Sequence, residues 1–334
     1  MLLHHGYGID IGTSTVKIYD QKADRIQKER DMIAVINNES VYAVGNEAYH
    51  LLGKTPENIE VITPMANGRI SDVSLMEAVL HTLLDRCESR IGQSPALYFS
   101  VLPDMTEIER RAYHTIAHRG SLYRSRIYMI ERPIADALSF KIPIDETNGT
   151  MIVNIGAQST EISVIADSRV VISRMLPVGG HSINEAIVAA VRRRNHFLIS
   201  PKTAKRLKLS LTDLSGGKME ARKVYGIDTK SGLPRQGIVT TYTVTSAVLS
   251  QVEMITAEIS EFLKRIPPQI RTSVNRDGIY FCGGSTRITG LPKFLNDHLE
   301  CAVMISGHYD LSTIHGIREV ILNPELREWA EYVH

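Results

Sequence analysis

Short apolar runs that end in glycine alternate along the chain with longer stretches carrying an apolar residue every three or four positions. Residues 6–19, GYGIDIGTSTVKIY, predict a strand, a turn at Gly12, Thr13 and Ser14, and a second strand. Leu75, Ala78, Val79 and Leu83 recur at helical spacing and predict a helix over 74–92. LYFSVL at 97–102 has the composition of a buried strand. Thr106 and Glu109 have capping-box spacing, which opens a helix at Glu107. IYMIE at 127–131 predicts a strand, and Pro133 marks the first turn of a helix after it.

A second β-rich stretch follows. MIVNI at 151–155 runs into the turn Gly156-Ala157-Gln158-Ser159, and 160–166 continues as a strand. The hairpin at 8–19 therefore has a counterpart at 151–166, a faint internal duplication. Gly179-Gly180 precedes a predicted helix over 182–194. Residues 209–245 are polar and β-leaning, with a loop at Gly216-Gly217, and 246–265 carry a helical pattern. A strand at 278–282 leads into Gly283-Gly284-Ser285, and 290–299 are helical. The terminal LREWAEYVH has Leu326, Trp329 and Val333 near one face, the pattern of a helix packed on its own domain.

At 334 residues and 43% hydrophobic, the chain can bury two domain cores. Its 38 Lys and Arg balance 37 Asp and Glu, so the whole-chain charge gives no reason to expect nucleic acid. Arg192-Arg193-Arg194 reads as the solvated face of a helix. Cys87, Cys282 and Cys301 have neither metal-ligand nor disulfide spacing, and the histidines, His4 and His5 included, form no paired ligand pattern. The methionines, Met65 and Met76 among them, read as core fillers. The first residues lack the pattern of a secretion signal, and no apolar run is long enough to span a membrane. These features place the chain in the cytoplasm. Leu2-Leu3 bury too little apolar area to anchor it on a membrane by themselves.

The glycine turns carry the candidate chemistry. A phosphate chain needs backbone N–H donors at close range, and glycine permits both that approach and unusual dihedrals. Gly12 supplies this in the first turn, where Thr13, Ser14 and Thr15 add hydroxyls. Asp10 is placed to hold a hydrated Mg²⁺, and Lys17 to offer a point charge to phosphate. Gly156, Ala157, Gln158 and Ser159 form the second turn, and a nucleoside can pack on Gly283, Gly284 and Ser285. Taken alone, one such hairpin reads equally well as an ordinary tight turn. Three glycine turns, each after an apolar strand, point to a nucleotide held from both sides of a cleft.

The sequence resembles the actin-like ATPases, and within them the bacterial rod-shape proteins of the MreB and Mbl type. GIDIGTSTVKIY resembles the first phosphate loop, MIVNIGAQSTEISVI the second, and GIYFCGGSTRITGL the adenosine motif. VYAVGNEAYHLLGKTPENIEVITPMANGRISD, TEIERRA, YMIERPIADAL, LPVGGHSINEAI and TAKRLK follow the family's order, so the likeness spans nearly the whole chain. The resemblance implies an α/β, actin-like fold of two lobes, each with a mixed five-stranded sheet. It implies residues 1–150 as the first lobe, with a small subdomain at about 32–72. Residues 151–334 form the second, with one at about 181–254. ATP and Mg²⁺ would sit between the lobes. Similar proteins form membrane-associated filaments that guide cell-wall synthesis, which implies a homo-oligomer, or a co-polymer with a related actin-like protein.

Four departures from the family pattern bear on hydrolysis. Asn154 stands where the family has an acidic residue, and a neutral amide holds a hydrated divalent cation more weakly. Ala157-Gln158 replace a glycine pair. Arg132 replaces the glutamate that positions the attacking water; it accepts no proton but can pair with a γ-phosphate, and the preceding Glu131 is a candidate to substitute in part, although its side chain is expected to point elsewhere. Lys205 stands where a glutamate often faces the ribose, while Lys208 is kept. The resulting expectation is a divergent paralogue that binds nucleotide and turns it over slowly or not at all. The competing readings are a non-filamentous, nucleotide-gated assembly or chaperone-like factor of the same superfold and a metabolite kinase, for which no catalytic aspartate stands out.

Overall fold

The computed structural model describes residues 5–37, 39–88 and 94–333. The chain forms two compact units, Met1–Asp145 with Leu311–His334, and Glu146–Asp310. The segment from Leu311 to the C-terminus, expected in the second lobe, thus belongs to the first unit. The cause is the helix Ser312–Leu322, whose Ile314, Ile317 and Ile321 pack on the strand Gly6–Ile11. A Cβ at Gly8 would lie 2.8 Å from Ile317 Cγ2, so bare backbone there lets the helix approach.

The first unit is built on a sheet ordered 331–333, 126–131, 96–101, 6–11, 15–20 and 25–30. The central pairs, 6–11 with 96–101 and 96–101 with 126–131, are parallel; the hairpin 6–20 and its outer strand are antiparallel. The inner strands are buried on both faces, which explains their continuous apolar runs. A sixth strand joins the five expected. Glu331–Val333 pairs antiparallel with Arg126–Glu131, while Pro324–Trp329 is a 3-10 turn, so the terminal LREWAEYVH is not a helix. Pairing to an otherwise open edge satisfies backbone groups that a short helix end would leave to water.

The predicted helix over 74–92 is Val73–Asp85, capped by Asp72; residues 89–93 lie outside those described, as do Leu2, Leu3 and His4. The capping box at Thr106 and Glu109 is present and opens Glu107–Ala117. A small sheet of Ile33–Ile36, Ser40–Val44 and Ile59–Ile62 and a short helix, Asn46–Leu51, complete this unit's insert.

The second unit repeats the same strand logic. Its sheet runs 169–176, 160–166, 150–155, 279–282 and 303–305, again an antiparallel hairpin followed by parallel strands. The helices Gly180–Asn195, Pro201–Leu211 and Thr241–Arg265 share its core. The last of these begins five residues earlier than its apolar pattern predicts, because Thr240 caps it and accepts from Thr243 N. The hairpin Ala221–Asp228 with Pro234–Thr240 pairs Phe197–Leu198 to make a three-stranded sheet, and Gly226 and Gly237 leave room for the Phe197 ring. Among the described residues no helix is long and apolar enough to cross a membrane.

Candidate functional site

In the first unit the chemistry gathers at the end of the strand Gly6–Ile11. Asp10 is buried, and its Oδ2 accepts from Lys17 Nζ at 2.7 Å. The two face each other because Asp10 and Lys17 are register partners in the hairpin. Ser100, the one polar residue in the run LYFSVL, donates its hydroxyl to Asp10 Oδ1 at 2.7 Å. Burial opposes the charged carboxylate, but Lys17, Arg132 and Ser100 together hold its pKa below the ordinary value. Asp10 is therefore a fixed anion and Lys17 its direct partner.

The turn above it closes with Gly12 N donating to Thr15 O at 3.1 Å. Thr13, Ser14 and Thr15 are half-buried. Arg30 Nη1 donates to Ser14 Oγ at 3.1 Å, a support not legible in the sequence. Glu131 and Arg132 diverge. Arg132 acts on Asp10, whereas Glu131 ends its strand next to Arg110 and Glu331. Burial is the chief cause of the raised Glu131 carboxyl pKa.

In the second unit four segments converge. Gly156 N donates to Ser159 O at 2.9 Å and closes the turn. The helix that starts at Gly180 is docked onto that turn, with Gly180 N on Gly156 O at 2.9 Å and His181 N on Ala157 O at 2.7 Å. A Cβ on Gly179 would lie 2.8 Å from Ser159 N. Ser285 Oγ donates to Gly156 O at 3.3 Å, which brings the third glycine turn to the same place. At Gly283 φ is +93°, and a Cβ would fall 2.4 Å from Ile155 O and 2.6 Å from Asn154 Oδ1, so only glycine fits. Asn154 is in register with Glu161 and Cys282.

Lys208 enters this cradle from the helix Pro201–Leu211. It is 4% exposed, and its Nζ donates to Gly180 O at 2.9 Å. Burial, reinforced by Lys205, pulls its pKa down from 10.5 to about 8. A buried ammonium bonded to a carbonyl beside two glycine turns and a helix start suits an anionic oxygen ligand. The sequence named every turn here but missed the docking of Gly179-Gly180 on Gly156 and Ala157, which was visible only as a helix start. Among the described residues no three of His, Cys, Asp and Glu are grouped to bind a metal directly.

Known proteins are similar to this chain in sequence and in fold. The MreB cell shape-determining protein of Escherichia coli K12 is 29% identical over 306 residues, covering 89% of this chain and 88% of that one. MreB 5 of Spiroplasma citri, in a structure bound to AMPPNP, superposes with a TM-score of 0.89 at 24% identity over 97% of each chain. A MamK double helical filament shares the fold, with a TM-score of 0.79 at 17% identity over 96% of this chain and 99% of that one. The family model described as MreB/Mbl protein matches residues 4–328. This chain, with its actin-like fold and paired glycine hairpins, belongs to the MreB/Mbl protein family.

Proposed function

We propose that this protein binds ATP through its glycine turns and assembles into cell-shape filaments in which hydrolysis is slow. The Lys208 cradle carries the reading: a buried cation, two converging glycine turns and a helix start form an anion site, and among the described residues no acidic side chain hydrogen-bonds Lys208. Gly156, Ala157, Gln158 and Ser159 would hold phosphate oxygens, and Gly283, Gly284 and Ser285 the nucleoside, with Lys205 beside it. Gly12, Thr13, Ser14 and Thr15 would hold phosphate from the first unit. Mg²⁺, if bound near Asp10, would be held through its waters, which fits a carboxylate already engaged by Lys17 and Ser100. The ion would neutralise phosphate charge.

Slow turnover follows from the side chains next to Pro133. Arg132 lies near Asp10 and cannot serve as a base, and Glu131 sits beside Arg110 and Glu331 instead. Asn154 in place of a carboxylate further weakens hold on a hydrated cation. Filaments on the inner membrane face, and a contact with the cell-wall synthesis machinery, extend the relatives' cell-shape role to this chain; a related actin-like chain is the alternative assembly partner.

Calorimetry with Mg-ATP, single-turnover kinetics, and sedimentation with electron microscopy test these points. Binding, turnover well below that of filament-forming relatives, and nucleotide-dependent polymers are expected. No binding of adenine or guanine nucleotide at millimolar concentration rejects the site. Fast turnover rejects the hydrolysis argument, and a monomer in every nucleotide state replaces the filament with a nucleotide-gated soluble factor.

A further inference from the structure

Glu29, Arg30 and Asp31 lie where the main sheet of the first unit passes into its small sheet, at the end of the strand Arg25–Arg30 and just before Ile33–Ile36. Glu29 Oε2 accepts from Asn46 N at 2.7 Å and so holds the start of the helix Asn46–Leu51. Arg30 donates to Ser14 Oγ and stacks on Tyr49 of the same helix, 4.4 Å from the ring centre. Asp31 N donates to Ser14 O at 3.3 Å. The crossover therefore grips both the carbonyl and the hydroxyl of the residue at the tip of the first glycine turn.

The Asp31 side chain is fully buried. Its Oδ2 accepts from Met65 N at 3.2 Å, and no protein group reaches Oδ1. The charged groups of the surrounding elements are turned to other partners. Arg30 and Glu29 are engaged as above, Lys17 and Asp10 pair with each other, and Arg69, from the hairpin after Met65, pairs with Asp104 and Glu109. Burial pushes the Asp31 carboxyl up from 3.8 to about 7, and the Met65 bond offsets this only in part. Among the described residues no cation is paired with this carboxylate.

We propose that Asp31 is a positioning residue for the first glycine turn, and that ionising it opposes the binding of phosphate there. Resting on the reading that this turn takes a nucleotide's phosphate, the inference adds a proton link to it. A negative charge on the residue whose amide holds the Ser14 carbonyl repels a bound polyphosphate; the neutral acid does not. By reciprocity, nucleotide raises the proton affinity of Asp31. Affinity therefore falls as pH rises through about 7, where the carboxyl loses its proton.

Calorimetry of Mg-ATP binding to the full chain, from about pH 6 to about pH 8.5, compares the wild type with Asp31→Asn. The amide keeps the acceptor for Met65 N and cannot ionise. The wild type is expected to lose severalfold more affinity across the range than Asp31→Asn, whose remaining slope is that of Lys208 near pH 8. An equal slope in both proteins overturns the inference while leaving nucleotide binding intact. Absence of binding in both at every pH overturns the nucleotide reading and this one with it. Difference infrared spectroscopy of the wild type gives a check that needs no variant. A buried carboxyl band should titrate near neutral pH and persist to higher pH with nucleotide bound; a band unmoved by nucleotide refutes the link.

Discussion

Lys208 shows how one side chain carries both stability and function. In the folded apoprotein it titrates at about 8, against 10.5 ordinarily, because burial disfavours its charge. Between those two values the unfolded chain holds more protons than the folded one, so stability rises as pH climbs from about 8 toward 10.5. A bound anion reverses the preference by stabilising the ammonium. Lys208→Met, which keeps the length and loses the charge, should leave the apoprotein's melting temperature unchanged or higher. It should weaken nucleotide binding about tenfold to a hundredfold, the worth of a charge-assisted hydrogen bond. Melting curves and calorimetry read the two effects separately. Lys208 was legible in the sequence through the family pattern, whereas its burial was not. Ser100 and Arg30 were not legible as site residues, since one sits in an apolar strand and the other in a polar one, and only the fold brings them to Asp10 and Ser14.

Among the elements, the pair of helices Arg132–Ser139 and Ser312–Leu322 is the tightest crossing. A Cβ on Gly316 would lie 1.7 Å from Ala135 O, so the helices touch backbone to backbone. Asp136 and Thr313 fix the register of this crossing with a buried hydrogen bond of 2.7 Å. Gly316→Ala gains helix propensity but forces the helices apart, and the loss should win by about 3 kcal/mol. Urea denaturation measures it, and an unchanged midpoint would contradict the crossing. Local rules gave the elements whose signals are local. The Thr106 and Glu109 capping box and the hairpins at Gly12 and Gly156 needed no tertiary information. The helix Ser312–Leu322 and the strand Glu331–Val333 did need it. Their positions depend on a partner some three hundred and two hundred residues away respectively, against Gly8 and Arg126–Glu131.

For the whole molecule, charge is distributed far less evenly than the net +1 suggests. Residues 192–240 carry twelve Lys and Arg against three Asp and Glu. The three-stranded sheet within them also exposes Tyr225, Ile227 and Ile238. The small insert of the first unit carries Glu39, Glu47, Glu57 and Glu60 and exposes Val41 and Tyr42. Two unlike, complementary patches on one chain suit head-to-tail assembly, which builds open filaments. Polymer yield in sedimentation should therefore fall as salt rises from about 50 mM to about 500 mM, where screening shortens to a few ångströms. Salt-independent assembly would show that charge does not steer the contact. Alone, the sequence determined the two β-rich halves, the glycine turns at 12, 156 and 283, and the family they signal. These are encoded by neighbours in the chain, through hydrophobic periodicity and the freedom of glycine. The tertiary structure decided that the last residues return to the first unit, that Lys208 is buried in the second-unit cradle, and that the Asp31 side chain is buried against Met65. Each of those depends on which surfaces exclude water, and burial is a property of the packed chain that no single segment contains.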